Sequence, residues 1–273
     1  MPAVGYLVVF LAVALLLLFA FGLVDIRDGR LVPGSWTLEH YARVLGDPFY
    51  YRIFVRTFWM GFGATVLCLI FGYPVAYLFT RVGTAARQVL LVLILAPLLT
   101  NAVVRTFGWM IILGGPKGLL NAVLLRLGLV EEPLKILYTM SGVLIGMTQI
   151  QLPFMILPII AALEGQDRSL HEAAAGLGAT WAQTFFHVVV PLSLPGVLSG
   201  SALVFVISYT SFVIPALLGG GSFGVIPTFI FEQISALVQW NSGAVLASLL
   251  MGTAIVMLLL FNRASARLLR WTR

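Results

Sequence analysis

Charge is scarce in this chain. Of 273 residues only 16 are Lys or Arg and 10 are Asp or Glu, so 10% are charged, where a soluble domain carries about 25%. With 60% of residues hydrophobic, too little polar surface remains to solvate a globule, which excludes both a soluble domain and a disordered chain. Cysteine is nearly absent: Cys68 stands alone, so no internal disulfide can form. Only two lysines occur, Lys117 before Gly118 and Lys135 before Ile136. A phosphate-binding loop needs Gly-x4-Gly-Lys-Ser/Thr, with its lysine on the terminal phosphates, so ATP hydrolysis through such a loop is ruled out. His40, His171 and His187 are scattered, with no His-Glu-x-x-His and no second cysteine to build a zinc site. No acidic residue lies deep within an apolar run, which disfavours an intramembrane aspartyl protease or a proton relay. Serines such as Ser208 and Ser211 lack an obvious base, and no enzyme is read here. The net charge of +6 makes no nucleic-acid face, because five of the sixteen cations fall between positions 27 and 56.

What the chain has is apolar length. A helix needs about 20 apolar residues to cross a bilayer, and six stretches qualify: about 4–24, 57–79, 89–113, 138–163, 194–217 and 242–261. The first has no Lys or Arg before it and is longer than a usual signal core, so it reads as a retained span. The expected fold is therefore all-α, one polytopic membrane domain over residues 1–273. With the N-terminus inside, seven cations lie in inner loops and eight in outer ones. The rule weighs short loops and span ends, so Arg263, Arg267, Arg270 and Arg273 with the pair Arg81 and Arg87 favour both ends inside. Seven prolines (Pro74, Pro97, Pro153, Pro158, Pro191, Pro195, Pro215) fall in or beside the spans, which lipid tolerates only where protein or a cavity satisfies the freed carbonyls. Gly142-x3-Gly146 and Gly196-x3-Gly200 are either close-packing pairs or chance pairs in a chain with 27 glycines.

Between the fourth and fifth spans lies a polar loop, 164–193. Ser169 with Glu172 reads as a capping box, Thr180 with Gln183 as a second. Gly178 between them suits the left-handed residue that ends one helix before the next. The spacing predicts two short helices joined by a tight turn outside the membrane, a docking knob.

Here a resemblance becomes specific. Glu172-Ala173-Ala174, Gly178 six positions after the Glu, and Val188, Val190 and Pro191 resemble the EAA loop of ABC importer permeases, E-A-A-x3-G-x9-I-x-L-P, with Val for Ile at 188 and for Leu at 190. Residues 72–81, 97–109, 137–158 and 203–221 are similar to the spermidine/putrescine permease subgroup, and within it to the B-type rather than the C-type permease. The resemblance implies a bacterial inner-membrane protein with a cytoplasmic loop that couples to an ATPase through Ser169, Glu172, Ala173, Ala174, Gly178, Ala179, Thr180 and Pro191. It implies four partners: a second, C-type permease, two ATP-binding subunits and an extracytoplasmic solute-binding protein. No cofactor is expected on this chain, since ATP and magnesium would sit on the ATPases. The expected function is half of the pathway of an importer for polyamines or a related small organic solute. The alternatives are an importer for a phosphonate, sulfate or iron complex, and a channel that works without ATP.

Polar groups inside a span face protein or a water-filled cavity. The pathway candidates are Asn101, Arg105 and Trp109 on the third span, Gln149 and Gln151 on the fourth, Ser208, Tyr209 and Ser211 on the fifth, and Glu232 before the sixth. Asn101, Arg105 and Trp109 recur every four residues, so a continuous helix would place them on one face. Arg105 then either faces a cavity or snorkels to the outer interface.

Overall fold

The computed structural model describes residues 2–27, 30–167, 169, 174, 176–221 and 223–268. Helix α1 (Pro2–Leu23) leads into an antiparallel hairpin of β1 (Val24–Arg27) and β2 (Arg30–Trp36), then α2 (Glu39–Gly46). Next come α3 (Pro48–Arg81), α4 (Thr84–Leu99), α5 (Ala102–Leu113), a 3-10 turn at Gly115–Lys117 and α6 (Leu119–Arg126). Then α7 (Met140–Glu164) precedes the polar loop, and α8 (Trp181–Tyr209) follows it, with a π-turn at Phe185–Val189. The last helices are α9 (Val213–Leu218), α10 (Ile226–Ser235) and α11 (Trp240–Leu268).

Among the described residues five helices, α1, α3, α7, α8 and α11, are long and apolar enough to cross a membrane. The pair α4 and α5 makes a sixth if taken as one span, although it is bent by 99°. The fold is that of an all-α polytopic membrane protein carrying one small hairpin. Three elements differ from the sequence expectation. The third span, expected to run unbroken over 89–113, breaks at Thr100 and Asn101, where both residues turn to extended ψ angles of 136° and 132°. Asn101 then starts α5 as its N-cap, its side chain accepting from the Val103 N–H at 2.8 Å. The fifth span, expected at 194–217, ends at Tyr209, and α9 is a separate short helix. The hairpin at 24–36 was not expected; its sequence signal is Asp28-Gly29 between two apolar stretches.

The chain divides into two compact units, 1–59 with 224–256 and 60–223 with 257–273. In the first unit α1 is apolar all round and its side chains from Tyr6 to Leu11 are exposed, as suits a helix that meets lipid or a partner. Its end is held by a side chain from afar. Asn241 Nδ2 donates to the carbonyls of Phe21 and Val24. Nearby, Tyr41 of α2 shares a hydrogen bond with Ser248 of α11 at 2.9 Å. Thr57 Oγ1 accepts from the Ile226 N–H at 3.0 Å, tying α3 to the start of α10.

In the second unit the core lies between α3, α4, α7 and α8: Cys68, Ala76, Phe79, Ile94, Met155, Ile159, Leu163, Val189 and Val204 are buried together. A Cβ at Gly196 would strike the Pro158 carbonyl and the Ala162 Cβ, and one at Gly200 would come within 3.1 Å of the Met155 carbonyl. This glycine pair is therefore where α8 rests directly on the backbone of α7. Gly142 and Gly146 are filled likewise, by the Ile136 carbonyl and the Leu218 side chain.

Candidate functional site

The polar loop is built from local signals. Gly178 has φ +77°, the left-handed conformation expected of it. The Ala179 N–H reaches back to the Ala174 carbonyl at 3.1 Å, so the preceding turn closes as a Schellman motif. Thr180 then opens the next helix. Its Oγ1 accepts from the Gln183 N–H at 3.3 Å, and Gln183 Oε1 accepts from the Thr180 N–H at 2.8 Å, both halves of a capping box. That helix is not a separate short one, because it runs through the π-turn into α8. Glu172 and Ala173 lie outside the described residues. Ser169 is described: its N–H donates to Asp167 Oδ1 at 2.9 Å. The backbone hydrogen bond from Ser169, and then the one from its side chain, hold the Asp167 carboxyl below the ordinary aspartate value. Leu177 and Trp181 stand exposed on either side of the glycine turn.

Three helix ends are tied by one residue. Arg87 Nε donates to the Phe79 carbonyl at 3.1 Å and Nη2 to the Thr80 carbonyl at 3.0 Å, while Nη1 pairs with Glu164 at 3.3 Å. An arginine thus satisfies the orphan carbonyls at the end of α3 and links α4 to the end of α7. An aromatic cluster adjoins it. Phe185 stacks on Trp181 at 5.4 Å and meets Tyr77 and Tyr73 edge-on at 5.0 and 6.0 Å. The Tyr73 hydroxyl is 2.9 Å from Ser193 Oγ. Sequence reasoning treated Arg87 only as an orientation charge and passed over Phe185, Tyr73 and Tyr77. Their partners lie up to 120 residues away, and no local signal announces them.

The polar positions within the spans are brought together as two pairs, not one line. Trp109 Nε1 donates to Gln149 Oε1 at 3.3 Å. Gln151 is buried, and its Oε1 lies 2.7 Å from Ser208 Oγ, which is also 2.7 Å from the Val204 carbonyl. Residues two apart on a helix do not share a face, so Gln149 and Gln151 serve different neighbours of α7. Asn101 spends its side chain on its own helix start, so the expected face of Asn101, Arg105 and Trp109 loses its first member. Arg105 sits four residues into the new helix, not deep in a straight one. Its Nε and Nη1 are buried with no hydrogen-bond partner among the described residues. Tyr209 is buried and stacked on Phe205 at 5.6 Å. Ser211 donates its N–H to the Ser208 carbonyl at 3.2 Å in the turn after α8. Glu232, in the first unit, is exposed on α10.

A surface cavity of about 420 Å³ is lined by Met110, Tyr138, Ala216, Leu217, Gly220 and Gly221, none of them a pathway candidate. Tyr138 has φ +66° and its N–H donates to the Leu218 carbonyl at 2.8 Å. Its ring covers Gly220, itself at φ +63°, leaving no room for a Cβ there. The glycines 219–221 thus form the turn after α9. Among the described residues no group of three His, Cys, Asp or Glu is placed to hold a metal.

With this geometry in place, comparison with known proteins gives a consistent answer. The chain is 36% identical over 262 residues to the spermidine/putrescine transport system permease protein PotB of Escherichia coli (strain K12), covering 96% of this chain and 94% of that relative. It is 24% identical over 271 residues to the putative 2-aminoethylphosphonate transport system permease protein PhnU of Salmonella typhimurium (strain LT2), covering 97% and 93%. Its fold matches a chain of the crystal structure of a bacterial ABC transporter involved in the import of the acidic polysaccharide alginate. There the TM-score is 0.76 at 17% identity, over 98% of this chain and 93% of that one. Residues 68–271 match the family described as binding-protein-dependent transport system inner membrane component, and the chain belongs to that family, as a multi-pass permease of the ABC transporter type.

Proposed function

We propose that this permease forms half of the translocation pathway of an ATP-driven importer for polyamines. The observation that carries the reading is 36% identity, sustained over 96% of the chain, to a spermidine/putrescine permease. In this reading both termini are cytoplasmic, and the solute arrives from an extracytoplasmic binding protein. A second permease completes the pathway, and two ATPase subunits hold ATP and magnesium while this chain holds no cofactor. The loop around Glu172, Ala173, Ala174 and Gly178 is the handle. Movement of the ATPases displaces it, and the two permeases rock between outward and inward openings, a rigid-body transition.

The charge pattern constrains the pathway. A polyamine is a multiple cation, recognised by carboxylates or aromatic faces, and the paired polar groups of α5, α7 and α8 include no carboxylate. Trp109 offers an aromatic face on this chain, whereas Tyr209 is buried against Phe205; Glu232 is the nearest acidic group in sequence, and further carboxylates come from the second permease. The 24% relative named for 2-aminoethylphosphonate favours a second reading, a zwitterionic phosphonate, for which Arg105 is the anion-binding group. Uptake of labelled spermidine and putrescine into vesicles bearing the complete importer separates the two. The polyamine reading expects ATP-dependent uptake that excess 2-aminoethylphosphonate leaves unchanged. Uptake of the phosphonate alone would establish the second reading, and uptake surviving ATP depletion would make the chain a channel.

A further inference from the structure

Phe185 occupies an unusual place in the chain. It is the first residue of the π-turn, where the Val190 N–H reaches back five residues to the Phe185 carbonyl. The α-pattern cannot close here, because Pro191 supplies no N–H for the carbonyl one turn before it. Side chains brace the carbonyls that follow: Gln166 Nε2 donates to the Val189 carbonyl at 3.3 Å and Ser193 Oγ to the Val190 carbonyl at 2.9 Å. Single π-turns of this kind recur at functional positions and give a helix local compliance. On one side of Phe185 lies the Trp181 ring, with planes 12° apart, in the first turn after the glycine corner. On the other lie Tyr77 and Tyr73 of α3, both edge-on. Tyr77 carries the Arg81 guanidinium 5.0 Å above its face, close to the end of α3 that Arg87 caps.

We propose that Phe185 is the positioning residue through which displacement of the Gly178 turn is delivered to α3. A stacked aromatic ring is stiff and close-packed, so it passes a push on rather than absorbing it. The π-turn below it lets the start of α8 shift without dragging the glycine-packed length of α8 off α7. The load therefore leaves α8 at Phe185 and enters α3 at Tyr77 and Tyr73. This rests on the reading of the turn as the ATPase handle.

The test uses the complete importer in proteoliposomes and reads ATP hydrolysed per labelled spermidine moved. Phe185→Leu keeps apolar volume in the turn but removes the ring faces. Its ATP-to-solute ratio is expected to rise about tenfold, a typical coupling effect, with hydrolysis kept within about twofold. Phe185→Tyr, which keeps the ring, restores the ratio. Tyr77→Leu raises it as Phe185→Leu does, and the double variant raises it no further. A merely structural role would lower uptake and hydrolysis together at constant ratio, and that result overturns the proposal. Gly178→Leu in the same assay isolates the handle reading. An unchanged ratio there removes the handle itself, whereas a raised ratio there with an unchanged one in Phe185→Leu removes only this proposal.

Discussion

At the scale of single residues, the polar loop turns on backbone conformation. Gly178 sits at φ +77° with nothing among the described residues within 4 Å of a would-be Cβ, so a side chain there is opposed by backbone strain. Gly178→Leu should cost about 1–2 kcal/mol in the closed turn. Uptake should fall while the protein remains inserted and ATP hydrolysis continues. Gly176, equally open but with no positive φ, provides the control: Gly176→Ala should leave uptake unchanged. Asp167 gives a pH signature. Its carboxyl is held below the ordinary value by the bonds from Ser169, so the capped turn is fully favoured above the ordinary aspartate range. It is lost only as pH falls through the depressed value. Hydrogen exchange at the Ser169 amide should stay protected at mildly acid pH and lose protection only beyond it. The glycine was legible because it is local: a glycine six positions after a glutamate leaves its mark within a few positions. The Asp167 bond was not, since sequence reasoning assigned the capping role to Ser169 with Glu172, whereas Ser169 donates its N–H to Asp167. Asn101 shows the opposite case. Its four-residue spacing to Arg105 and Trp109 suggested a face, but a short polar side chain after Pro97 is also a helix restart, and that signal won.

Among elements, two contacts decide how the second unit holds together. Gly196 and Gly200 let α8 lie on the backbone of α7. Gly196→Val forces the helices apart and should cost about 1–3 kcal/mol, as overpacking does, read as a lower unfolding midpoint in detergent. At the loop end, Arg87 offers two kinds of bond of different worth. Its ion pair with Glu164 is partly solvated, at 35% and 45% side-chain exposure, and such pairs contribute about 0–1 kcal/mol. Its bonds to the carbonyls that end α3 are charge-assisted and cap a helix. Glu164→Gln should therefore be nearly neutral, and Arg87→Ala should lose about 1–2 kcal/mol. Lysine should recover little of this, having one point charge in place of a planar fork. Neither the arginine clamp nor the aromatic cluster was readable beforehand. Each joins residues far apart in sequence, so only the folded chain brings them together. The hairpin was readable in principle from Asp28-Gly29 after the alternating Val24-Asp25-Ile26-Arg27, but four residues directly after a long apolar run are a short signal.

For the molecule as a whole, six apolar stretches reached the right fold because bilayer thickness fixes helix length so strongly. Composition could not convey that one span is bent by 99°, since a break of two residues changes apolar length very little. On which side the loop faces it gave only the charge preference for both ends inside, and on that point the handle, the ATPases and the direction of transport all depend. Leu177 stands 89% exposed at the tip of the turn, and the single native cysteine, Cys68, is buried. A Leu177→Cys variant on a Cys68→Ser background can therefore be labelled with a membrane-impermeant thiol reagent with little competing reaction. The account predicts labelling in inside-out vesicles and none in intact right-side-out ones, with protection when the ATPase subunits are bound. Labelling from the outer face of intact vesicles would contradict it.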